Sequence, residues 1–109
     1  MMQKEKLLVF QDLSARLPYE VIVQEPDYYE APLSIVTLSE VFYDGLDIKP
    51  YLRSMSSMTD EEKEVFEDIK YKAVSTHYSE IDWLNAHHFD YRGLIEKGLA
   101  LEAPKDMYK

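Results

Sequence analysis

The chain has no cysteine, which excludes a disulfide scaffold, a zinc–thiolate centre and a cysteine nucleophile. Glycine is scarce: Gly45, Gly93 and Gly98 are the only three, and neither common phosphate-cradling pattern is built from them. No Gly-x-Ser-x-Gly elbow presents a serine as a nucleophile. Long apolar runs are missing too. The longest, Leu7 to Phe10, is far short of the roughly 20 residues of a membrane span. The opening Met-Met-Gln-Lys-Glu-Lys leads into no signal-type apolar region, so a cytoplasmic location and no membrane partner are expected. Positive charge is also in deficit, with 12 basic residues against 21 acidic and a formal net charge of −9. That field repels phosphate backbones, and no direct nucleic-acid binding is expected.

What is present is the balance of a globular domain. Of 109 residues, 46% are apolar and 30% charged, so residues 1–109 are expected to form a single domain with its own core. Leu7, Phe10, Leu13 and Leu17 recur at helical spacing, which predicts a helix that stops at Pro18. Tyr19 to Gln24 is β-branched and aromatic and predicts a strand. Glu25-Pro26-Asp27 predicts a turn, and Pro32 opens a second predicted strand over Leu33 to Leu38. Val41-Phe42-Tyr43 reads as more strand, with Asp44-Gly45 as a hairpin-type turn. Ile48 to Arg53 contains Pro50 and reads as an edge segment or a single helical turn.

In the second half, Thr59 and Glu62 have capping-box spacing, and Asp60, Glu61 and Glu62 fall where a helix dipole favours acids. They predict a helix over about residues 60 to 75, with Met58, Val65, Phe66, Ile69 and Ala73 as its apolar stripe. Ser79 with Asp82 suggests a second cap and a short helix that buries Ile81, Leu84 and Trp83. Asp90 to Lys97 reads as one more turn of helix closed by Gly98, and Leu99 to Leu101 as a last strand. The expected fold is α+β: a two- or three-stranded, mostly antiparallel sheet covered by helices, with a mainly helical C-terminal half. Val21, Phe66, Ile69, Trp83 and Leu84 are expected in its core.

No cluster carries a mechanism. His87 and His88 are adjacent, so on a helix their rings diverge by about 100°; His77 is remote, and no ligand spacing supports Asp82 or Asp90 as further partners. One ring is expected in the core with a hydrogen-bond partner and the other in solvent. No metal, cofactor or catalytic residue is assigned. Lys49, Tyr51 and Arg53 form a basic–aromatic cluster, but their charge is expected to pair with acids at the start of the following helix. Two features point outward. Tyr28 and Tyr29 sit in a polar loop, where amphipathic rings suit a protein interface or fold back over a sheet edge. Glu61, Glu64 and Asp68 belong to an acidic run that is either a solvated helix face or a surface for a basic partner.

Three phrases of the chain also carry a resemblance: Asp12-Leu-Ser-Ala-Arg-Leu-Pro-Tyr19, Ile48-Lys-Pro-Tyr-Leu-Arg-Ser-Met-Ser-Ser-Met-Thr59, and Asp82-Trp-Leu-Asn-Ala-His-His-Phe-Asp-Tyr-Arg-Gly-Leu-Ile95. Together they resemble a set of short proteins of gut anaerobic bacteria and their phages or integrated elements. This chain differs in having Ser54 where proline is frequent, and a shorter stretch before Ile48. The family has no assigned activity, so the resemblance implies a mobile-element setting and transfers no functional residue. The expected role is therefore a non-enzymatic protein-interaction or accessory module with a protein partner, its surface drawn from Tyr28, Tyr29, Glu61, Glu64 and Asp68. The alternative is an inhibitor that mimics nucleic acid, and an enzyme comes third.

Overall fold

The first helix, α1 (Gln3–Arg16), runs into a 3₁₀ turn at Leu17–Tyr19 that carries Pro18, so it ends where the proline predicts. The computed structural model describes residues 3–27, 29–72 and 80–108. The buried face of α1 is rotated from the expected one: Val9, Asp12, Leu13 and Arg16 are buried, whereas Leu7 is exposed and Phe10 and Leu17 are half-buried. An ion pair causes the rotation. Asp12 and Arg16 are i,i+4 neighbours on one side of the helix, and Nε of Arg16 donates to Oδ2 of Asp12 at 2.8 Å, which lets both charged groups turn inward.

Strand β1 (Ile22–Gln24) forms an antiparallel hairpin with β2 (Glu30–Pro32), Val23 lying opposite Ala31. The strand expected over Leu33 to Leu38 is absent, and so is its continuation at Val41 to Tyr43. Residues 35–38 of the first stretch and all of the second belong to helix α2 (Ile35–Asp44). Local chemistry overrides the β-branched composition here. The Ser34 hydroxyl caps the helix by accepting from the Thr37 N–H at 3.1 Å, and Leu38 and Val41 fall on one inward face. Gly45 is the helix C-cap rather than a hairpin turn: its φ of +66° lies in the left-handed region, and its N–H donates to the Glu40 carbonyl.

Strand β3 (Lys49–Leu52) is neither an edge nor a helical turn. It is central in a four-stranded mixed sheet of order β2-β1-β3-β4, antiparallel to β1 and parallel to β4 (Leu101–Glu102). The sheet thus has four strands where two or three were expected; two of its pairings are antiparallel and one, β3 with β4, is parallel. Proline is tolerated centrally because of its register. Leu52 turns its backbone to β4, its carbonyl accepting from the Ala103 N–H at 2.7 Å, and Pro50, two residues earlier, turns the same way. Pairing with β4 starts only at Tyr51, so the missing N–H lies before β4 begins.

After a 3₁₀ turn at Met55–Ser57, α3 (Asp60–Lys72) opens with the predicted capping box: the Glu62 N–H donates to Thr59 Oγ1 at 3.1 Å, and the Thr59 N–H to Glu62 Oε1 at 2.9 Å. Ala73, His77 and Ser79 lie outside the described residues, as does the expected end of that helix. Helix α4 (Glu80–Ala86) buries Trp83 and Leu84, while Ile81, like Val65 of α3, is exposed. The chain then runs through turns to β4. The expected helical turn over Asp90 to Lys97 is replaced by hydrogen-bonded turns, in which the Asp90 carboxylate accepts from the Leu94 and Ile95 N–H groups.

Two apolar clusters result. Val9, Leu13, Val21, Val23, Leu38, Ile48 and Leu52 are among the residues of the larger, which joins α1 and α2 to the sheet. Met58, Trp83, Leu84 and Phe89 make the smaller one under α3 and α4, with Phe66 and Ile69 only partly buried against it. No helix among the described residues is long and apolar enough to cross a membrane.

Candidate interaction surface

Helix α2 packs on α1 in antiparallel sense: Lys6 lies by Gly45, and the Phe10 and Phe42 ring centroids are 4.9 Å apart. Leu38 and Val41 fill the inner face. The outer face is apolar as well. Ile35 is 64% exposed, Val36 65%, Phe42 56% and Tyr43 80%. Residues seven apart share a helix side, so Ile35 lines up with Phe42 and Val36 with Tyr43. Tyr43 meets Phe42 edge-on at 4.9 Å; on α1, Leu7 is exposed too. A helix that is apolar on both sides belongs between two neighbours; α1 and the sheet supply only one side. Between the start of α1 and the end of α2, and lined by none of the patch residues, Lys6, Val9, Val41, Leu46, Asp47 and Ile48 surround a depression of about 160 Å³. That is below the roughly 300–1,000 Å³ of small-molecule sites and is the size for one anchoring side chain.

The predicted surface residues are placed apart from this patch. Tyr28 lies outside the described residues. Tyr29 is exposed at the tip of the β1–β2 hairpin, its N–H donating to Asp27 Oδ1 at 3.2 Å, so its ring does not fold back over the sheet. Glu61, Glu64 and Asp68 are exposed along one side of α3, a helix that packs on α4. Glu62 is a structural residue. Arg53 grips both its carboxylate oxygens at 2.8 and 2.7 Å, and that pairing pulls its pKa down to about 2. The expected pairing of the Lys49–Tyr51–Arg53 cluster with the next helix is thus met by Arg53.

Sequence reasoning missed the α2 patch because it assigned those residues to a strand. It also missed a buried polar network. The Asp12 carboxylate, fully buried, accepts from Arg16 Nε at 2.8 Å and from Arg92 Nε at 3.0 Å. Arg16, also fully buried, donates through Nη2 to the Phe89 carbonyl at 2.6 Å. Arg92 donates to the Tyr91 hydroxyl, which donates to Asn85. The signal was there as the i,i+4 pair Asp12–Arg16. The network ties α1 to the segment after α4 and so holds the α1–α2 face to the rest of the fold.

His88 is buried, but its Nδ1 has no hydrogen-bond partner, contrary to expectation. Burial, with the nearby Arg16 charge second, lowers its pKa to about 4. His87 is half-buried on the Trp83 ring rather than in solvent. Among the described residues, no group of three or more His, Asp or Glu side chains is placed to hold a metal ion. No family model matches the chain, and no curated protein or solved structure matches it either.

Proposed function

We propose that the chain is a non-enzymatic protein-interaction module and that the outer face of α2 is its docking surface. The observation that carries this reading is the contiguous exposure of Ile35, Val36, Phe42 and Tyr43 on one helix side. Contiguous apolar patches with aromatic side chains mark protein contact sites on soluble domains. The resemblance adds a mobile-element setting to the proposal.

The mimicry alternative has one observation behind it, the alignment of Glu61, Glu64 and Asp68 on α3. Against it, exposed acids also occur at Asp27, Glu30, Glu40 and Asp44, which spreads the charge around the molecule as a solubilising distribution does. A photo-crosslinking residue placed at position 43 or at position 64, in the native cell, separates the two. Adducts with a protein from position 43 are expected. Adducts from position 64 alone, or from neither, would overturn the proposal.

A further inference from the structure

We infer that the turn at residues 104–108 is a latch, and that the seam between β1 and β3 has two complete forms: one with the Tyr108 hydroxyl inserted and one with the strands bonded directly. The alternation of the backbone carries this. Val21 turns its carbonyl to β2, where it accepts from the Leu33 N–H, so Ile22 and Gln24 turn toward β3. Leu52 turns to β4, so Lys49 and Tyr51 turn toward β1. With Val23 opposite Pro50 and Gln24 opposite Lys49, the next bonded pair in register is Ile22 with Tyr51. The Tyr108 hydroxyl takes the place of that bond, 2.9 Å from the Ile22 nitrogen and 2.6 Å from the Tyr51 carbonyl oxygen. When the phenol withdraws, the two strands complete the pair themselves and neither backbone group is left unmet. The hydroxyl passes to water.

The latched form is also strained at its borders. Among the described residues other than glycine, positive φ occurs at Glu20 and His88, +57° and +65°. Glu20 lies two residues before Ile22, and the His88 ring lies on the Tyr108 ring at 3.7 Å. Side chains held in that region cluster at clamps and switching segments. His88 has in addition a buried Nδ1 without a hydrogen-bond partner, so the ring beneath the latch is incompletely satisfied. The turn itself moves as a unit: the Met107 N–H bonds back to the Pro104 carbonyl, and Pro104, Lys105 and Asp106 are exposed. The Ala103 N–H stays on the Leu52 carbonyl, which places the hinge after residue 103. Ala103, Lys105 and Tyr108 line a cleft of about 480 Å³ together with Arg53, Ser57 and Thr59. That volume falls within the roughly 300–1,000 Å³ of small-molecule sites. Release takes Lys105 and Tyr108 out of the lining and opens the cleft toward His88, so the latch gates it.

A fluorotyrosine placed at position 108 of the full chain reports the latch by fluorine NMR. A second signal, at the position of a solvent-exposed fluorotyrosine and in exchange with the main one, is expected while the Trp83 indole signal stays single. One signal, without exchange in saturation transfer, overturns the inference. Two variants test the direct bond. Tyr108→Phe keeps the ring in the seam and leaves the Ile22 N–H unpaired, whereas Tyr108→Ala empties the seam and lets the strands meet. Amide exchange at Ile22 should therefore be about tenfold slower in Tyr108→Ala than in Tyr108→Phe, the protection given by one backbone hydrogen bond. Equal exchange in the two variants, or failure of Tyr108→Ala to fold, would show the ring to be a fixed part of the core and overturns the inference as well.

Discussion

The His88 ring lies on the Tyr108 ring, with centroids 3.7 Å apart and planes 17° from parallel. His88 has a φ of +65°, in the left-handed region that disfavours side chains. It occupies the position after α4 where glycine is common: its N–H donates to Asn85 and that of Phe89 to Leu84, the double closure of a Schellman turn. Tyr108 uses the stack to bring its hydroxyl between two strands. It accepts from the Ile22 N–H at 2.9 Å and donates to the Tyr51 carbonyl at 2.6 Å, standing in for the direct bond that would continue the β1–β3 ladder beyond Val23 and Pro50.

Tyr108→Phe is expected to keep the ring stack and lose that bridge. Two backbone groups, the Ile22 N–H and the Tyr51 carbonyl, then lack their partner. The expected loss is about 1–3 kcal/mol, the usual cost of a buried group left unsatisfied. Urea denaturation measures it, and amide exchange at Ile22 should quicken more than at Val23. An unchanged denaturation midpoint would show that the strands close up and bond directly.

Stability should depend on pH through His88. The unfolded chain takes up a proton near 6.5, whereas the folded protein resists until about 4. Between these values the unfolded state binds more protons, so stability rises with pH across the window and is lost as pH falls through it. Glu62, lowered from 4.5 to about 2, contributes in the same direction but mainly below pH 4.5, overlapping the acid end of that range. In the interval from 4.5 to 6.5 the slope therefore belongs to His88, with a smaller part from His87, whose pKa burial also lowers. His88→Asn, which tolerates the left-handed backbone, should flatten the slope of denaturation midpoint against pH. A slope as steep as the parent's would place the titrating group elsewhere.

The buried pair at the other end of the network makes a third test. Asp12→Ala strips both Arg16 and Arg92 of their carboxylate and leaves a fully buried guanidinium without its counter-charge. Removing one partner of a buried ion pair costs about 3–5 kcal/mol. Arg92→Ala removes a partly exposed partner and leaves the Asp12–Arg16 bond, so it should cost clearly less. Equal losses in calorimetry would mean that Asp12 serves both arginines alike.

How far the sequence disclosed this fold depended on whether local signals or distant contacts decided each element. The capping box at Thr59, the stop at Pro18 and the Arg53 pairing rest on residues near in sequence, and each was legible. Helix α2 was not, because Ile35, Val36, Val41 and Phe42 have the composition of a strand, and the deciding Ser34 cap is one modest residue. The position of β3 depends on β4, about fifty residues away, which no local pattern conveys. The phase of α1 was misjudged because apolar residues alone were counted, whereas Asp12 and Arg16 go inward as a pair. For the interaction surface, Tyr29 and the α3 acids were legible as exposed polar positions; the α2 face was hidden by the same strand assignment.

The α3 cap gives the last prediction. Thr59→Ala deletes the hydroxyl that accepts from the Glu62 N–H, and loss of such a cap costs about 0.5–2 kcal/mol. The reciprocal bond, from the Thr59 N–H to Glu62, uses only backbone at residue 59 and survives in the variant. Arg53 continues to hold the Glu62 carboxylate in place. The loss should accordingly fall in the lower half of that range. Combining Thr59→Ala with Arg53→Met frees the carboxylate, so the double variant should lose more than the two single losses added together. Strict additivity in denaturant midpoints would show that the cap and the Arg53 clamp act independently, and that Glu62 keeps its capping position without Arg53.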